Sequence, residues 1–401
     1  MKKRIIFLFT SLVILLTSFS YGFTSLTIWD HIEDSTEITN SSTANYINLE
    51  SESAILIETT TGEILYEKDI HKKLRPASVT KIMSLLLIME ALDRSEISLE
   101  TPIPCSERAS SMGGSQIWLD SNENLTVEEM LKAICIVSAN DCTVAMAEYL
   151  CGSEELFVQK MNERAKELGM NDTTFKNCHG IDEDGHLSSS YDISIMSKEL
   201  LNNHPEITTY TTIWNDTLRD GKSELVNTNK LVRTYNGITG LKTGSTSLAL
   251  YNLSASANRN DLSLIAVVLR APSPKIRFAE AKLLLDYGFS NFSFKKIAQK
   301  DTVFQSIPVN KGTEDSLNLI FEKDVGIILK KQSANNIIEE TFVPQEIVAP
   351  IEKNDVIGTI SYSLDGLPIA SVNLIAEKSI NKISFINSFK KIAFSWFSLF
   401  K

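Results

Sequence analysis

The hexapeptide PASVTK, residues 76–81, opens an apolar stretch, IMSLLLIMEAL. If that stretch is a helix, Ser78 and Lys81 share one face, because residues three apart are neighbours on a helix surface. Pro76 just ahead favours a helix start. A serine hydroxyl is a weak nucleophile until a base removes its proton. Lysine can be that base only when neutral, and a neutral lysine at pH 7 needs its pKa lowered by desolvation or by a nearby positive charge. The chain should therefore hold a second cation, a proton relay and a means of gripping an anionic substrate. Two motifs offer them. Ser138 and Asn140, in SAN, fall at a break between helices, where short polar side chains can point into a cleft. Lys242, Thr243 and Gly244 stand at the start of a strand, and Gly244 lets a substrate approach the backbone.

Each motif alone has a plain structural explanation: an N-cap serine beside a solvated lysine, a helix-end cap, a turn into a strand. The ordered set is more specific. S-x-x-K begins at 78, S-x-N follows 60 residues later, and K-T-G begins 104 residues after that.

The elements that must position these residues can be read from periodicity. SAILIETTTGEILYEKD gives two strand-like runs about Thr61-Gly62, a hairpin signal. Thr126 with Glu129 three residues on is a capping-box pattern, opening a helix that breaks at SAND, 138–141, and resumes with CTVAMAEYL. Phe157, Met161, Ala165 and Leu168 form a helical stripe closed by Gly169. After residue 225, two strands flank the turn Asn258–Asp261, and IRFAEAKLLLDYG is a further amphipathic helix. Strands at both ends with helices between suggest one sheet assembled from both ends, in an α/β layered architecture. From about 291 short alternating runs are spaced like an all-β sandwich.

Length and composition bound the rest. The 401 residues suffice for two or three domains, and 43% hydrophobic with 22% charged residues is ordinary globular composition. A net charge of −11 argues against a nucleic-acid partner, since phosphate binding needs a basic surface. MKKR, then IIFLFTSLVILL, then a small-x-small site at Ser20 and Gly22 predict a signal peptide over 1–22, too short in its apolar run to span a membrane. Residues 23–48 are polar and aperiodic and read as a linker. Five cysteines leave at least one unpaired, and Cys135 and Cys142 read as small buried hydrophobes. The five histidines form no ligand spacing, so neither a metal nor a cofactor is expected. At the C-terminus, Ser384, Ser388, Lys391, Ser395 and Ser398 lie opposite Phe385, Phe389, Ile392, Trp396 and Leu399. That pattern predicts an amphipathic helix over 377–401, lying on a membrane surface and not crossing it.

With the three motifs, the segments RPASVTKIMSLLLIMEAL, MGGSQIWL, FKNCHGIDEDGHLSSSYDISIMSKELL and LSLIAVVLRAPSPKIRFAEAKLLLDYGF follow in order. Together they resemble the low-molecular-weight penicillin-binding proteins, the D-alanyl-D-alanine carboxypeptidases of serine peptidase family S11. The likeness implies an α/β (α+β) catalytic domain of the serine DD-peptidase/β-lactamase type at 49–290. An antiparallel sheet there is flanked by helices and joined by a helical subdomain. A small all-β sandwich at 291–376 and the terminal anchor would follow. The implied activity is removal of the terminal D-alanine from peptidoglycan stem pentapeptides, with β-lactams as covalent inhibitors, outside the cytoplasmic membrane. By the same likeness Ser78 attacks the carbonyl between the two D-alanines, Lys81 is its base, and Ser138 relays a proton to the leaving D-alanine. Asn140 holds the substrate amide, and Lys242 and Thr243 bind the terminal carboxylate. The N–H groups of Ser78 and Ser245 form the oxyanion hole, and Arg277 lies near the substrate carboxylate.

Two residues depart from the family pattern, Ala139 inside S-x-N and Arg75 before Pro76; neither removes a catalytic group. His179 and His186 read as structural. A β-lactamase would need a deacylating carboxylate in an E-x-x-L-N string, and the nearest string, KELLN at 198–202, has Lys198 there. A non-catalytic peptidoglycan-binding module and an endopeptidase are the other readings.

Overall fold

The computed structural model describes residues 47–331 and 336–384. Strand β1 (Ser53–Glu58) is buried along its whole length, as befits a strand covered on both faces. It pairs antiparallel with β2 (Ile64–Lys68) through the turn containing Gly62. Its other edge pairs with a strand from far along the chain, β5 (Leu262–Ala271). Strands β3 (Ile238–Thr246) and β4 (Leu250–Arg259) complete a five-stranded antiparallel sheet in the order β2-β1-β5-β4-β3. The sheet is thus built from both ends of the domain, and β3, which carries K-T-G, is an edge strand.

The alternation of β1 separates two cores. Ile55 and Ile57 join Ile265, Val267 and Leu269 in the large cluster shared with the helices. Leu56 and Leu264 face the other way, against Gly288 of α6 (Pro274–Asn291). On the first side lie α1 (Lys81–Asp93), α2 (Val127–Ile136), α3 (Asn140–Cys151), α4 (Glu154–Glu167) and α5 (Ser190–Asn203). Helix α1 is buried almost all round, which explains its continuous apolar sequence. Thr126 and Glu129 form the capping box of α2, and Phe157, Met161 and Ala165 bury one stripe of α4. All five cysteines are free, and Cys135 and Cys142 are buried.

Helix α6 runs to Asn291 and passes directly into β6 (Phe292–Ala298). Six strands lie between β6 and the last one: β7 (Val303–Asn310), β8 (Ser316–Phe321), β9 (Val325–Lys330), β10 (Ile337–Phe342), β11 (Ile347–Val348) and β12 (Val356–Leu364). The last is β13 (Leu367–Ala376). β6 pairs with β9, and the others form a six-stranded sheet in the order β10-β12-β13-β8-β7-β11. Leu319, Ile360, Val372 and Leu374 centre a separate apolar core.

One boundary differs from the sequence reading. The helix expected from 377 does not begin there. Ile380 bridges to Ile351 and Lys382 to Gly312, and the buried Ile380 side chain belongs to the β-domain core. Glu377 to Ser384 therefore extends the β domain. Residues 385–401, like 1–46, lie outside the described residues, and with them most of the expected anchor, the signal peptide and the linker. Among the described residues no helix is long and apolar enough to cross a membrane.

Candidate active site

Ser78 is not an N-cap. It lies inside a single 3₁₀ turn, Ala77–Thr80, that leads straight into α1, whose first residue is Lys81. The tighter turn keeps the two residues on one face. Lys81 is fully buried, and its Nζ lies 3.2 Å from Ser78 Oγ. Nζ also donates to Asn140 Oδ1 at 2.6 Å and to the His179 carbonyl at 2.7 Å. With two acceptors taking its hydrogens, the remaining direction on the nitrogen faces Ser78. Burial, and then the Lys242 ammonium, hold the Lys81 pKa well below that of an ordinary lysine. That is the condition the sequence reading set for a lysine base.

Lys242 is itself buried, and desolvation together with the Arg277 guanidinium lowers its pKa to about 7. Its Nζ donates to the Thr243 carbonyl at 3.0 Å, and Thr243 Oγ1 donates to Thr228 at 2.8 Å. Arg277, on the first turns of α6, is buried and not a surface charge. It donates to the carbonyls of Gly244 and Asn252, at 3.1 and 3.2 Å, and lies over the Phe278 ring. Desolvation lowers even its pKa to about 10. The buried Lys242 and Arg277 thus converge on β3, and among the described residues no carboxylate is hydrogen-bonded to either, an arrangement suited to an anionic group.

Edge strand β3 lies against the serine turn. A Cβ on Gly244 would sit 2.8 Å from the Pro76 oxygen and 3.0 Å from the Ser78 nitrogen, so only glycine allows the strand this close. Ser245, the next residue, is exposed. Gly180 does the same from the other side: at φ +91°, its Cβ would be 2.0 Å from the Ala77 oxygen.

Between α2 and α3, Ser138 takes φ +69°, and Ala77 takes +49° ahead of Ser78. Left-handed conformations of non-glycine residues cost about 1–3 kcal/mol each and gather at functional sites. Ser138 Oγ is buried and has no hydrogen-bond partner among the described residues, an unusual state that a ligand could relieve. Asn140 opens α3. Its N–H donates to the Ser115 carbonyl and its Nδ2 to the Gly113 carbonyl, both at 2.7 Å.

The structure therefore brings Ser78, Lys81 and Asn140 into one hydrogen-bonded cluster, sets Gly244 against Ser78, and stacks Lys242 and Arg277 behind it. Sequence reasoning missed the supports. Asp141, fully buried, accepts from the N–H groups of Ile117 and Leu119 and so ties down the loop beside Asn140. Arg219 grips the same loop through the carbonyls of Ile117 and Trp118. The His179 carbonyl, a backbone group, carries no sequence signal at all. His186 is structural as expected: Nδ1 accepts from the Lys176 N–H, so Nε2 bears the proton and donates to Thr80 Oγ1 at 2.8 Å. Lys198 of KELLN points to the Gly62 turn, where its Nζ would meet an added Cβ at 2.8 Å.

The cleft's cations and hydroxyls offer no metal-ligand set. Among the described residues, Asp93, His204 and Glu206 bring three ligand-type atoms within 4.8 Å of one another. That group lies at the far end of α1, about 18 Å along the helix from Lys81, and Asp93 Oδ2 is 3.0 Å from His204 Nδ1.

Comparison with known proteins agrees with this geometry. Residues 38–273 match the family model for D-alanyl-D-alanine carboxypeptidase, and residues 292–382 that for the C-terminal domain of penicillin-binding protein 5. The chain is 44% identical to D-alanyl-D-alanine carboxypeptidase DacF of Bacillus subtilis (strain 168), over 86% of this chain and 90% of that one. Among solved structures, penicillin binding protein 5 from Haemophilus influenzae matches at TM-score 0.73 and 30% identity, over 84% of this chain and 99% of that one. A peptidoglycan synthesis regulatory factor (PBP3) from Streptococcus pneumoniae matches at TM-score 0.70 and 30% identity, over 84% and 100%. With its first 38–273 span covered by one family model and its β domain by the other, this chain belongs to the D-alanyl-D-alanine carboxypeptidase family of penicillin-binding proteins.

Proposed function

We propose that the protein is a serine D-alanyl-D-alanine carboxypeptidase of cell-wall synthesis, acting through an acyl-enzyme on Ser78. The observation that carries this reading is the fully buried Lys81 amine, 3.2 Å from Ser78 Oγ, whose pKa burial and the buried Lys242 hold well below that of an ordinary lysine.

Neutral Lys81 takes the Ser78 proton as Oγ attacks the carbonyl carbon between the last two D-alanines. The oxyanion forms between the N–H groups of Ser78 and Ser245; fixed donors of this kind lower a barrier by several kcal/mol. Collapse breaks the C–N bond, and Ser138 gives its hydroxyl proton to the leaving amine while taking the proton that Lys81 removed from Ser78, which leaves Lys81 neutral again. Water then cleaves the ester and restores Ser78. Asn140 holds the substrate amide, and Lys242 and Thr243 take the terminal carboxylate. Arg277 acts on that carboxylate from beneath β3, through the field it adds at Lys242. A β-lactam offers a carbonyl and a carboxylate in the same relation, so it acylates Ser78 and stalls there.

The β-lactamase reading is weaker, because Lys198 stands where a deacylating carboxylate is needed and its Nζ lies at the Gly62 turn. We also infer export through residues 1–22, a linker over 23–48, and surface attachment to the membrane by the aromatic-rich segment beyond 384. The β domain would then be a spacer toward nascent peptidoglycan and a contributor to cell shape. Two assays test the reading. D-alanine release is followed from a pentapeptide beside a cross-linked dimer: release from the pentapeptide alone supports a carboxypeptidase, release from both an endopeptidase as well, and release from neither overturns the enzyme reading. For the anchor, truncation after Ser384 should free an active protein from membranes; a truncated protein still membrane-bound refutes it.

A further inference from the structure

The His179 carbonyl that receives Lys81 is itself held from behind. Glu154, the first residue of α4, is only 4% exposed although it is a carboxylate. Its Oε1 accepts from the Cys178 N–H at 3.1 Å and from Cys178 Sγ at 3.4 Å, and lies 3.3 Å from His179 Nε2. Its Oε2 accepts from Arg108 at 2.5 Å. The His179 ring is oriented as well, since its Nδ1 accepts from the Ile181 N–H at 3.2 Å, leaving the proton on Nε2, toward Glu154. On the opposite side of the same segment, the Cys178 carbonyl accepts from Ser84 and the His179 carbonyl from Lys81, both on α1. Segment 177–180 is thus pinched between α4 and α1. Burial opposes ionisation of Glu154, yet hydrogen bonds from His179 and Arg108 hold its pKa down at about 2.

A buried carboxylate is costly unless it is fully paired, and of its partners His179 reaches the cleft, through the carbonyl that accepts from Lys81. Its one consequence in the cleft is the position of the 179 carbonyl. We propose that Glu154 is a positioning residue for the reaction, clamping segment 177–180 so that the His179 carbonyl keeps the free direction of the Lys81 nitrogen aimed at Ser78. This rests on the reading of Lys81 as the base.

The groups facing Lys81 are Lys242 on β3, Asp141 on α3, and Cys178 and His179 on the clamped segment, with Asn140 and Ser78 as neutral partners. A carbonyl at 2.7 Å favours the ammonium, so withdrawing it disfavours protonation further.

The test is the acylation rate by a fluorescent penicillin across pH, with kcat and KM for a pentapeptide, in full-length protein whose folding is checked by thermal unfolding. Glu154→Ala should lower the plateau acylation rate and kcat roughly tenfold with KM changed less than twofold, and move the basic-group limb to lower pH. Glu154→Gln keeps an oxygen for the Cys178 N–H and should restore rate and limb to within about threefold. Should Glu154→Ala fail to fold, Glu154→Asp retracts the oxygen by one methylene and should shift both readings in the same direction by less. A folded Ala or Asp variant with wild-type plateau and limb overturns the proposal, as does a lowered rate with an unmoved limb, which marks a merely structural role. Lys81→Ala separates the two claims: if it still acylates, the base assignment fails, whereas wild-type behaviour of the Glu154 variants with an inert Lys81→Ala sinks the clamp alone.

Discussion

The β domain and the cleft fill their interiors differently. Among the described residues of 292–384 no buried residue is charged, and apart from the Tyr362 hydroxyl their side chains are apolar. Its ion pairs, such as Lys296 with Asp324 at 3.2 Å, sit half-exposed at the surface, where they contribute little. The cleft buries Lys81, Lys242 and Arg277, finds among the described residues no carboxylate hydrogen-bonded to them and no partner for Ser138 Oγ, and bends Ala77 and Ser138 into left-handed conformations. Each of those features lowers stability, and each disposes a group toward a substrate or its base. The contrast separates a domain shaped for packing from one that gives up stability for function.

Breaking the nucleophile has the largest effect. Ser78→Ala should abolish penicillin labelling, a loss of at least about 10³-fold, with thermal unfolding unchanged or slightly raised. Persistent labelling in a folded variant would remove Ser78 from the account. Lys81→Met should move the two quantities apart. Acylation falls by about 10²–10⁴-fold, the usual worth of a general base, while the unfolding temperature rises, because a desolvated buried amine is exchanged for a thioether. A Lys81→Met protein less stable than wild type would contradict the claim that the cleft is held at a cost.

The β domain should respond the other way. Ile380→Asp puts a charge into its apolar core and should destabilise that domain by roughly 3–4 kcal/mol, leaving acylation at Ser78 within about twofold. A matching loss of acylation would show that the two domains do not act independently. Acid should weaken the catalytic domain by a comparable or smaller amount. Desolvation, with His179 and Arg75 nearby, lowers the His186 pKa to about 4, against 6.5 for an ordinary histidine. The folded state therefore prefers neutral His186. Its full stability is present above pH 6.5 and is lost as pH falls toward 4, on the order of 3 kcal/mol for this group. His186→Gln should flatten that part of the stability curve, and an unchanged curve would exclude His186 as its source.

Much of the site was legible because its side chains must be particular types at fixed offsets. Ser78 and Lys81 need one turn of helix between them, and Gly244 needs the absence of a Cβ. The sheet built from both chain ends followed from strand-like runs at 53–68 and 238–271. What was not legible acts through the backbone or across long sequence separations: the His179 carbonyl, Asp141 on the 117–119 amides, and Glu154 on Cys178. Residues 377–384 misled for a different reason. The helical pattern itself begins at Ser384 and Phe385 and was carried back to 377, and nothing local shows that Ile351 waits to bridge Ile380.

The central claim is that Lys81 works as a neutral base because burial and Lys242 keep it so. It is tested most directly by the pH dependence of Ser78 acylation in wild type and in Lys242→Gln. The account predicts a wild-type rate that rises through an apparent pKa far below the ordinary ~10.4 of lysine, and a limb displaced to higher pH in the folded variant, where one positive charge facing Lys81 is gone. A wild-type limb near 10, or one that stays in place when Lys242 is replaced, would contradict it.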